Sequence, residues 1–234
     1  MTYQDLIEKR KSCKACQNYG LCDVLTQGDS KGMLYQLETA FPVAFSIDSL
    51  GFWNPLNNSN PLAASILVIG QDFSHAGYFE DVKNLSEVNQ KESNNATNKN
   101  LIGYIESISG FHKKEIYFAN AVLCIKSGSM NAPIKRKWLT NCADNFLKPL
   151  ITEHLSNLKI IITLGKVALD AVNAISDFME TANFSSIPGN NYMINVEEKE
   201  LRLGPMFHPG RLGNSNAKRA KKNPTELWEA ISYH

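Results

Sequence analysis

The sequence predicts an α/β fold, a three-layer α/β/α sandwich around a central, mainly parallel four-stranded sheet. Two observations predict it. Short apolar runs that end in glycine recur, as Ser65-Ile66-Leu67-Val68-Ile69-Gly70 and Lys159-Ile160-Ile161-Ile162-Thr163-Leu164-Gly165, and a run apolar at nearly every position marks a strand covered on both faces, as in a parallel sheet. Segments with helical spacing alternate with these runs, which places helices on both faces of the sheet.

In chain order, Met1 to Arg10 is a polar stretch of helical character, and the Ser65 run is the first strand. Asp81 to Asn100 contains six asparagines and no hydrophobic period, so positions 81–100 are expected to form a surface loop. Leu101, Ile102, Ile105 and Ile108 repeat with the period of an amphipathic helix and lead into a strand over Glu115 to Val122. Leu139, Phe146, Leu150 and Leu155 mark a second helical stretch before the Lys159 run. An irregular stretch, Ser176 to Asn191, precedes two strands expected around Tyr192 to Val196 and Leu201 to Phe207. Functional side chains of such folds gather at the carboxyl ends of the strands, where Gly70, Asn120 and Gly165 stand. No Gly-x-Gly-x-x-Gly follows any strand, which argues against a dinucleotide site.

At 234 residues, 43% hydrophobic and 20% charged, the chain has the composition of a globular protein and is expected to form a single domain, 1–234. The N-terminal stretch has no apolar run behind it, so neither a signal peptide nor a membrane span is expected. Five cysteines, an odd number without an export signal, argue against a disulfide framework and for a reducing, cytoplasmic compartment. The net charge of +1 is silent about partners, but its distribution is uneven. Ile116 to Ala143 lacks acidic residues and holds Lys126, Lys135, Arg136 and Lys137; Arg211, Lys218, Arg219, Lys221 and Lys222 form a second acid-free segment. Each is either a solvated surface or a phosphate contact.

Cys13 and Cys16 lie close together near the N-terminus, and Cys124 and Cys142 follow more than a hundred residues later. Four thiolates so placed form one site only if the fold brings the N-terminal segment against the middle of the chain; zinc or an iron-sulfur cluster suits such a site. Gly70-Gln71-Asp72-Phe73-Ser74-His75 sets a carboxylate and an imidazole directly after the first strand, where Asp72 either caps the next helix or faces a ligand. Phe118-Ala119-Asn120-Ala121-Val122-Leu123-Cys124 puts one amide at an apolar strand end; Asn120 there is either a structural residue or a donor-acceptor pair complementary to a pyrimidine edge. Phe207-His208-Pro209-Gly210-Arg211-Leu212-Gly213-Asn214 rigidifies a turn that begins with a histidine and runs into the basic segment.

Taken in order along the chain, these segments resemble the uracil-DNA glycosylase superfamily, whose three signatures follow three strands. The frame of Cys13, Cys16, Asn120-Ala121-Val122-Leu123-Cys124 and Cys142 resembles its iron-sulfur branch, family four, and Ile160-Ile161-Ile162-Thr163-Leu164-Gly165 is similar to that family's Ala-Leu-Gly strand. Gly70-Gln71-Asp72-x-x-His75 instead resembles the Gly-Gln-Asp-Pro-Tyr-His of the long-known uracil-excising enzymes. The resemblance implies a 4Fe-4S cluster on Cys13, Cys16, Cys124 and Cys142, within an N-terminal cluster-binding segment 1–25, with zinc as the alternative and Cys22 left over. It implies that Asp72 stabilises the sugar cation and orients water, and that His208 donates to the base oxygen as negative charge grows there. Gly70, Gln71, Phe73, Ser74, His75, Phe79 and Asn120 would bind the base. Leu212 would wedge the duplex, with Arg211, Lys218 and Arg219 on flanking phosphates and Lys135, Arg136 and Lys137 as a second contact.

Two departures bear on the substrate. Ser74 stands where a tyrosine crowds the C5 position of the base in the uracil-excising enzymes, and the asparagine-rich Ser93 to Asn100 replaces a Pro-Phe-Val-Gly segment whose phenylalanine stacks on the base, leaving Phe73, Tyr78 and Phe79 as the aromatics at hand. The resemblance therefore implies a monofunctional, monomeric DNA glycosylase that flips out and excises uracil or a C5-modified pyrimidine. No signature lysine offers a Schiff base for strand cleavage. Two alternatives stand beside repair: a defence glycosylase that removes a hypermodified viral base such as glucosylated hydroxymethylcytosine, and a non-catalytic module that binds altered DNA.

Overall fold

The computed structural model describes residues 1–13, 15–16, 61–72, 94–107, 116–124, 132–180 and 182–231. Its elements are α1 (Tyr3–Lys11), β1 (Ile66–Gly70), α2 (Ala96–Ser107), β2 (Ile116–Asn120), α3 (Arg136–Cys142), β3 (Ile160–Leu164), α4 (Lys166–Asn173), β4 (Tyr192–Val196), β5 (Lys199–Met206), α5 (Arg211–Arg219) and α6 (Pro224–Glu229). The strands form one sheet in the order β2-β1-β3-β5-β4. Four run parallel, and β4 joins antiparallel to β5 at the edge. The described sheet thus has five strands where four were expected. The hairpin to β5 adds an edge strand whose alternating exposure, with Ile194 and Val196 inward and Met193 and Asn195 outward, is that of a one-faced strand.

Alternate side chains of the central strands enter two separate cores. Leu67, Ile69, Tyr117, Ala119, Ile161 and Leu203 pack with Leu6 and Ile7 of α1, Leu139 of α3 and Leu169 and Val172 of α4. Ile66, Val68, Phe118, Ile162, Leu164 and Met206 pack with Leu101 and Ile105 of α2 and Trp228 of α6. Two helical layers on one sheet make the expected three-layer sandwich.

Helix α2 begins inside the stretch expected to be a loop. Residues 94–100 are polar apart from Ala96, so the first turn of α2 carries no apolar signal; Asn95 Oδ1 accepts from the Thr97 amide at 2.9 Å to start it. The chain after α3 continues in two π-helical turns, Ala143–Leu147 and Leu150–His154. There the Leu155 amide donates to the Leu150 carbonyl at 2.9 Å, which accounts for the five-residue step between two buried leucines. The Lys199 ammonium closes this end by donating to the Ile151 carbonyl at 3.0 Å and to that of Leu155. Among the described residues, no helix is long and apolar enough to cross a membrane.

Candidate active site

The parallel strands β2, β1, β3 and β5 present their carboxyl ends along one edge, and three signature residues meet there. Gly70 pairs with Asn120 across β1 and β2. The pairing runs past both strands, since the amides of Ala121 and Val122 donate to the carbonyls of Gly70 and Gln71 at 2.9 and 3.0 Å. Asn120 is 7% exposed, and its Oδ1 lies so close over Gly70 that a Cβ at position 70 would stand 2.6 Å from it. Asp72 follows two residues on, and Gln71 Nε2 donates to its Oδ2 at 3.2 Å.

His208 comes from the other side of the edge. The Gly165 amide donates to the Met206 carbonyl at 2.8 Å, tying the end of β3 to that of β5. Gly165 has φ +91°, and a Cβ there would meet His208 Cβ at 3.4 Å. A left-handed backbone under a packed histidine is a place for glycine. Burial pushes the His208 imidazole below its ordinary range, against the opposing pull of the Asp72 carboxylate. His208 Nδ1 accepts a hydrogen bond from the Gly210 amide at 3.1 Å. The neutral ring therefore carries its proton on Nε2 and presents a donor there.

The turn after His208 is held by side chains of α2 and α5. Asn100 of α2 and Asn214 of α5 both donate from Nδ2 to the Pro209 carbonyl, at 2.9 and 3.3 Å, and the Tyr104 hydroxyl donates to Asn214 Oδ1 at 3.1 Å. Asn214 ends the Phe207 to Asn214 motif, whereas Asn100 lies in the stretch expected to be a loop.

Helix α5 starts directly after this turn. Arg211 and Leu212 occupy its first turn, and Leu212 is 70% exposed; Lys218 and Arg219 stand exposed in its last turn, about 10 Å further along. Lys222 has a different task, since its ammonium donates to the carbonyls of Ser186 and Pro188 at 2.9 and 2.7 Å. Of the basic segment between Ile116 and Ala143, Lys135 lies over the Trp138 ring at 5.2 Å, while Arg136 and Lys137 face solvent. Phe73, Ser74, His75, Tyr78, Phe79, Cys22 and Lys126 lie outside the described residues.

Cys13, Cys16, Cys124 and Cys142 line one small cavity together with Arg10, Leu123, Asn141 and Phe146. None of the four is joined in a disulfide. Helix α1 reaches the body of the protein through Leu6 and Ile7, the Tyr3 to Tyr117 hydroxyl contact at 2.8 Å and Lys9 over the Phe146 ring at 5.6 Å. Asn141 Nδ2 donates to Cys16 Sγ at 3.3 Å. Among the described residues, no three such side chains are drawn together as a single ion requires, although the four share a wall.

Two histidines give the protein an acid-sensitive stability. Burial lowers the His154 pKa, partly opposed by Glu153, and its Nε2 is buried without a hydrogen-bond partner; burial lowers that of His208 likewise. With both folded pKa values depressed, the unfolded chain binds more protons as pH falls from about 6.5. The stabilisation they give is complete above that value and is lost as pH falls through the folded values. Melting temperature measured from pH 8 to pH 5 should fall in the lower part of that range, before the carboxylates titrate; a flat profile contradicts the assignment.

No curated protein matches the chain closely enough to be named as a relative. The family description "Uracil DNA glycosylase superfamily" matches residues 57–233, a span that holds the strand ends carrying Asp72, Asn120 and His208. The chain belongs to the uracil DNA glycosylase superfamily.

Proposed function

We propose that the protein is a monofunctional DNA glycosylase that flips a pyrimidine out of the duplex and hydrolyses its N-glycosidic bond, leaving an abasic site. Membership of the superfamily supports DNA glycosylase activity. The observation that carries the finer reading is an Asp72 carboxylate within electrostatic reach of a His208 that burial holds neutral and that bears its proton on Nε2.

Cleavage separates charge, positive on the sugar and negative on the departing base. Asp72 beneath C1′ stabilises the cation and orients the attacking water, while His208 Nε2–H donates to the base oxygen as its charge grows. A neutral donor serves here, because it needs no counter-charge in a partly buried site. Asn120, nearly buried between the two strand ends, offers a donor and an acceptor to the edge of the base. The glycosidic carbon of a stacked nucleotide is out of reach, so the base must leave the helix. Leu212 fills the gap, and Arg211, Lys218 and Arg219 hold phosphates without reading sequence.

Leu212→Ala is accordingly expected to slow release from duplex DNA about tenfold while sparing single strands, since a wedge offsets an unstacking cost of a few kcal/mol that single strands do not carry. Equal losses on both substrates would remove the wedge role.

The four cysteines fit an iron-sulfur cluster by donor type and by their arrangement around one cavity. Zinc, which would gather the same sulfurs to about 3.8 Å from one another at a Zn–S distance of about 2.3 Å, is the alternative group for the same four thiolates. Bound there, the cluster would act as a structural cross-link between Cys13 and Cys16 beyond α1 and the segment of Cys124 and Cys142.

Base release from duplexes carrying uracil, thymine opposite guanine, hydroxymethylcytosine and its glucosylated form tests the function. Release of uracil alone makes the protein a repair enzyme. Release of only a bulky base makes it a defence enzyme, as Ser74 in place of a tyrosine suggests, and no release leaves a binding module.

A further inference from the structure

The Pro209–Gly210 peptide stands between His208 and two side chains of other elements. Its N–H donates to His208 Nδ1 at 3.1 Å. Its carbonyl, on the opposite side of the same plane, accepts from Asn100 Nδ2 at 2.9 Å and Asn214 Nδ2 at 3.3 Å. The Tyr104 hydroxyl donates to Asn214 Oδ1 at 3.1 Å, which leaves Nδ2 turned toward the carbonyl. Tyr104 in turn stacks on Trp228 with centroids 6.0 Å apart and planes 21° apart, and Trp228 is 1% exposed.

We propose that Asn100 and Asn214 are positioning residues that set the tautomer and orientation of His208 through the Pro209–Gly210 peptide, with Tyr104 orienting Asn214. The peptide is planar, so holding its oxygen holds its N–H toward the ring. Glycine at 210 makes that plane easy to rotate; the restraint has to come from outside the turn, and the two amides supply it. A rotated plane would turn the carbonyl toward Nδ1 and favour a proton there. Nε2 would then be an acceptor facing the oxygen it has to stabilise. Two donors on one carbonyl also polarise the peptide and strengthen its N–H as a donor. The chain thus uses α2, α5 and α6 to fix one proton on a histidine that touches none of them through that proton.

The catalytic consequence rests on the glycosylase reading, but the tautomer does not, and the test keeps the two apart. His208 in ¹⁵N-labelled protein is assigned by difference against H208Q, and its ring nitrogens are compared in the parent, N100A, N214A, the double variant N100A/N214A and Y104F. The parent is expected to carry its proton on Nε2 and the double variant to gain a population with Nδ1–H. Single-turnover release by the double variant should fall about tenfold to a hundredfold, with duplex affinity kept. Should the double variant not fold, Y104F, which removes one oxygen, is expected to show the same shift in weaker form. A parental tautomer in every folded variant overturns the proposal, as does a parent protonated on Nδ1. If the parent releases no base from any duplex, the glycosylase reading falls and the spectra still decide the role of the amides.

Discussion

Replacing Asp72 by asparagine is expected to lower the single-turnover rate of base release by roughly a thousandfold, the scale on which one preorganised electrostatic group acts. Duplex affinity should stay within about twofold, because an interaction that grows with charge in the transition state contributes little to the ground-state complex. The substitution is nearly isosteric, and Gln71 Nε2, which donates to Asp72 Oδ2 at 3.2 Å, retains an acceptor in the amide oxygen. The strand-end geometry is therefore preserved while the charge is removed. His208 gives an internal check on that claim. The Asp72 carboxylate favours its charged form, so the variant should hold His208 neutral to a lower pH, and the acid limb of the residual activity should move downward. Equal release by the variant and an active parent would take the cation-stabilising role away from Asp72. Inactivity of both on every duplex would favour a module that binds altered DNA.

The sheet was legible because buried strands leave a strong mark. Every described residue of β2 and β3 is buried, so the apolar runs read as strands covered on both faces before any pairing is known. The count of strands was less legible. The residues of β4 were expected to be extended, but only pairing with β5 shows that they lie in the same sheet as an edge. The start of α2 was hidden for the opposite reason. Ala96 to Asn100 make their first turn among polar side chains, and the apolar period begins only at Leu101. The uneven spacing of Phe146, Leu150 and Leu155 holds the signal of π-helical turns, which a strict 3.6-residue period smooths over.

The candidate site was legible where function sits at strand ends and illegible where it rests on support from elsewhere. Asp72 and His208 follow apolar strands and Asn120 ends one, and topology then brings the Asp72 carboxylate within electrostatic reach of His208 and Asn120 over Gly70. Asn100, Tyr104 and Asn214 carry no such mark, since a side-chain amide bonded to a distant carbonyl looks like any surface asparagine in a sequence. Asn141 is a similar case: its bond to Cys16 Sγ joins residues 125 apart, and only its place beside Cys142 hints at the cavity. Lys222 misled in the other direction. Its neighbours are basic and exposed, yet its own ammonium is bound to two carbonyls of the protein.

Removing the cysteines should separate a metal centre from an ordinary core. Cys16 and Cys142 are 3% and 4% exposed, and if they served only as small apolar residues, each alanine replacement would cost about 1 kcal/mol, as a typical point substitution does. If instead the four thiolates hold a cluster, its binding free energy is part of the folding free energy. Cys16→Ala or Cys142→Ala should then cost several kcal/mol and lower the melting temperature by more than about 10 °C in a chain of this size. Protein purified without oxygen is expected to contain about four irons per chain and to lose its iron and visible absorbance in either variant. Proteolysis should report where the loss is felt. The link on the far side of α1 disappears, while the contacts of Leu6, Ile7 and Tyr3 remain, so cleavage should appear first near Cys13 and Cys16 rather than in the sheet. Zinc in place of iron would keep the cross-link and change the metal. Protein free of both metals, with variants that cost only about 1 kcal/mol, would return the four cysteines to the core.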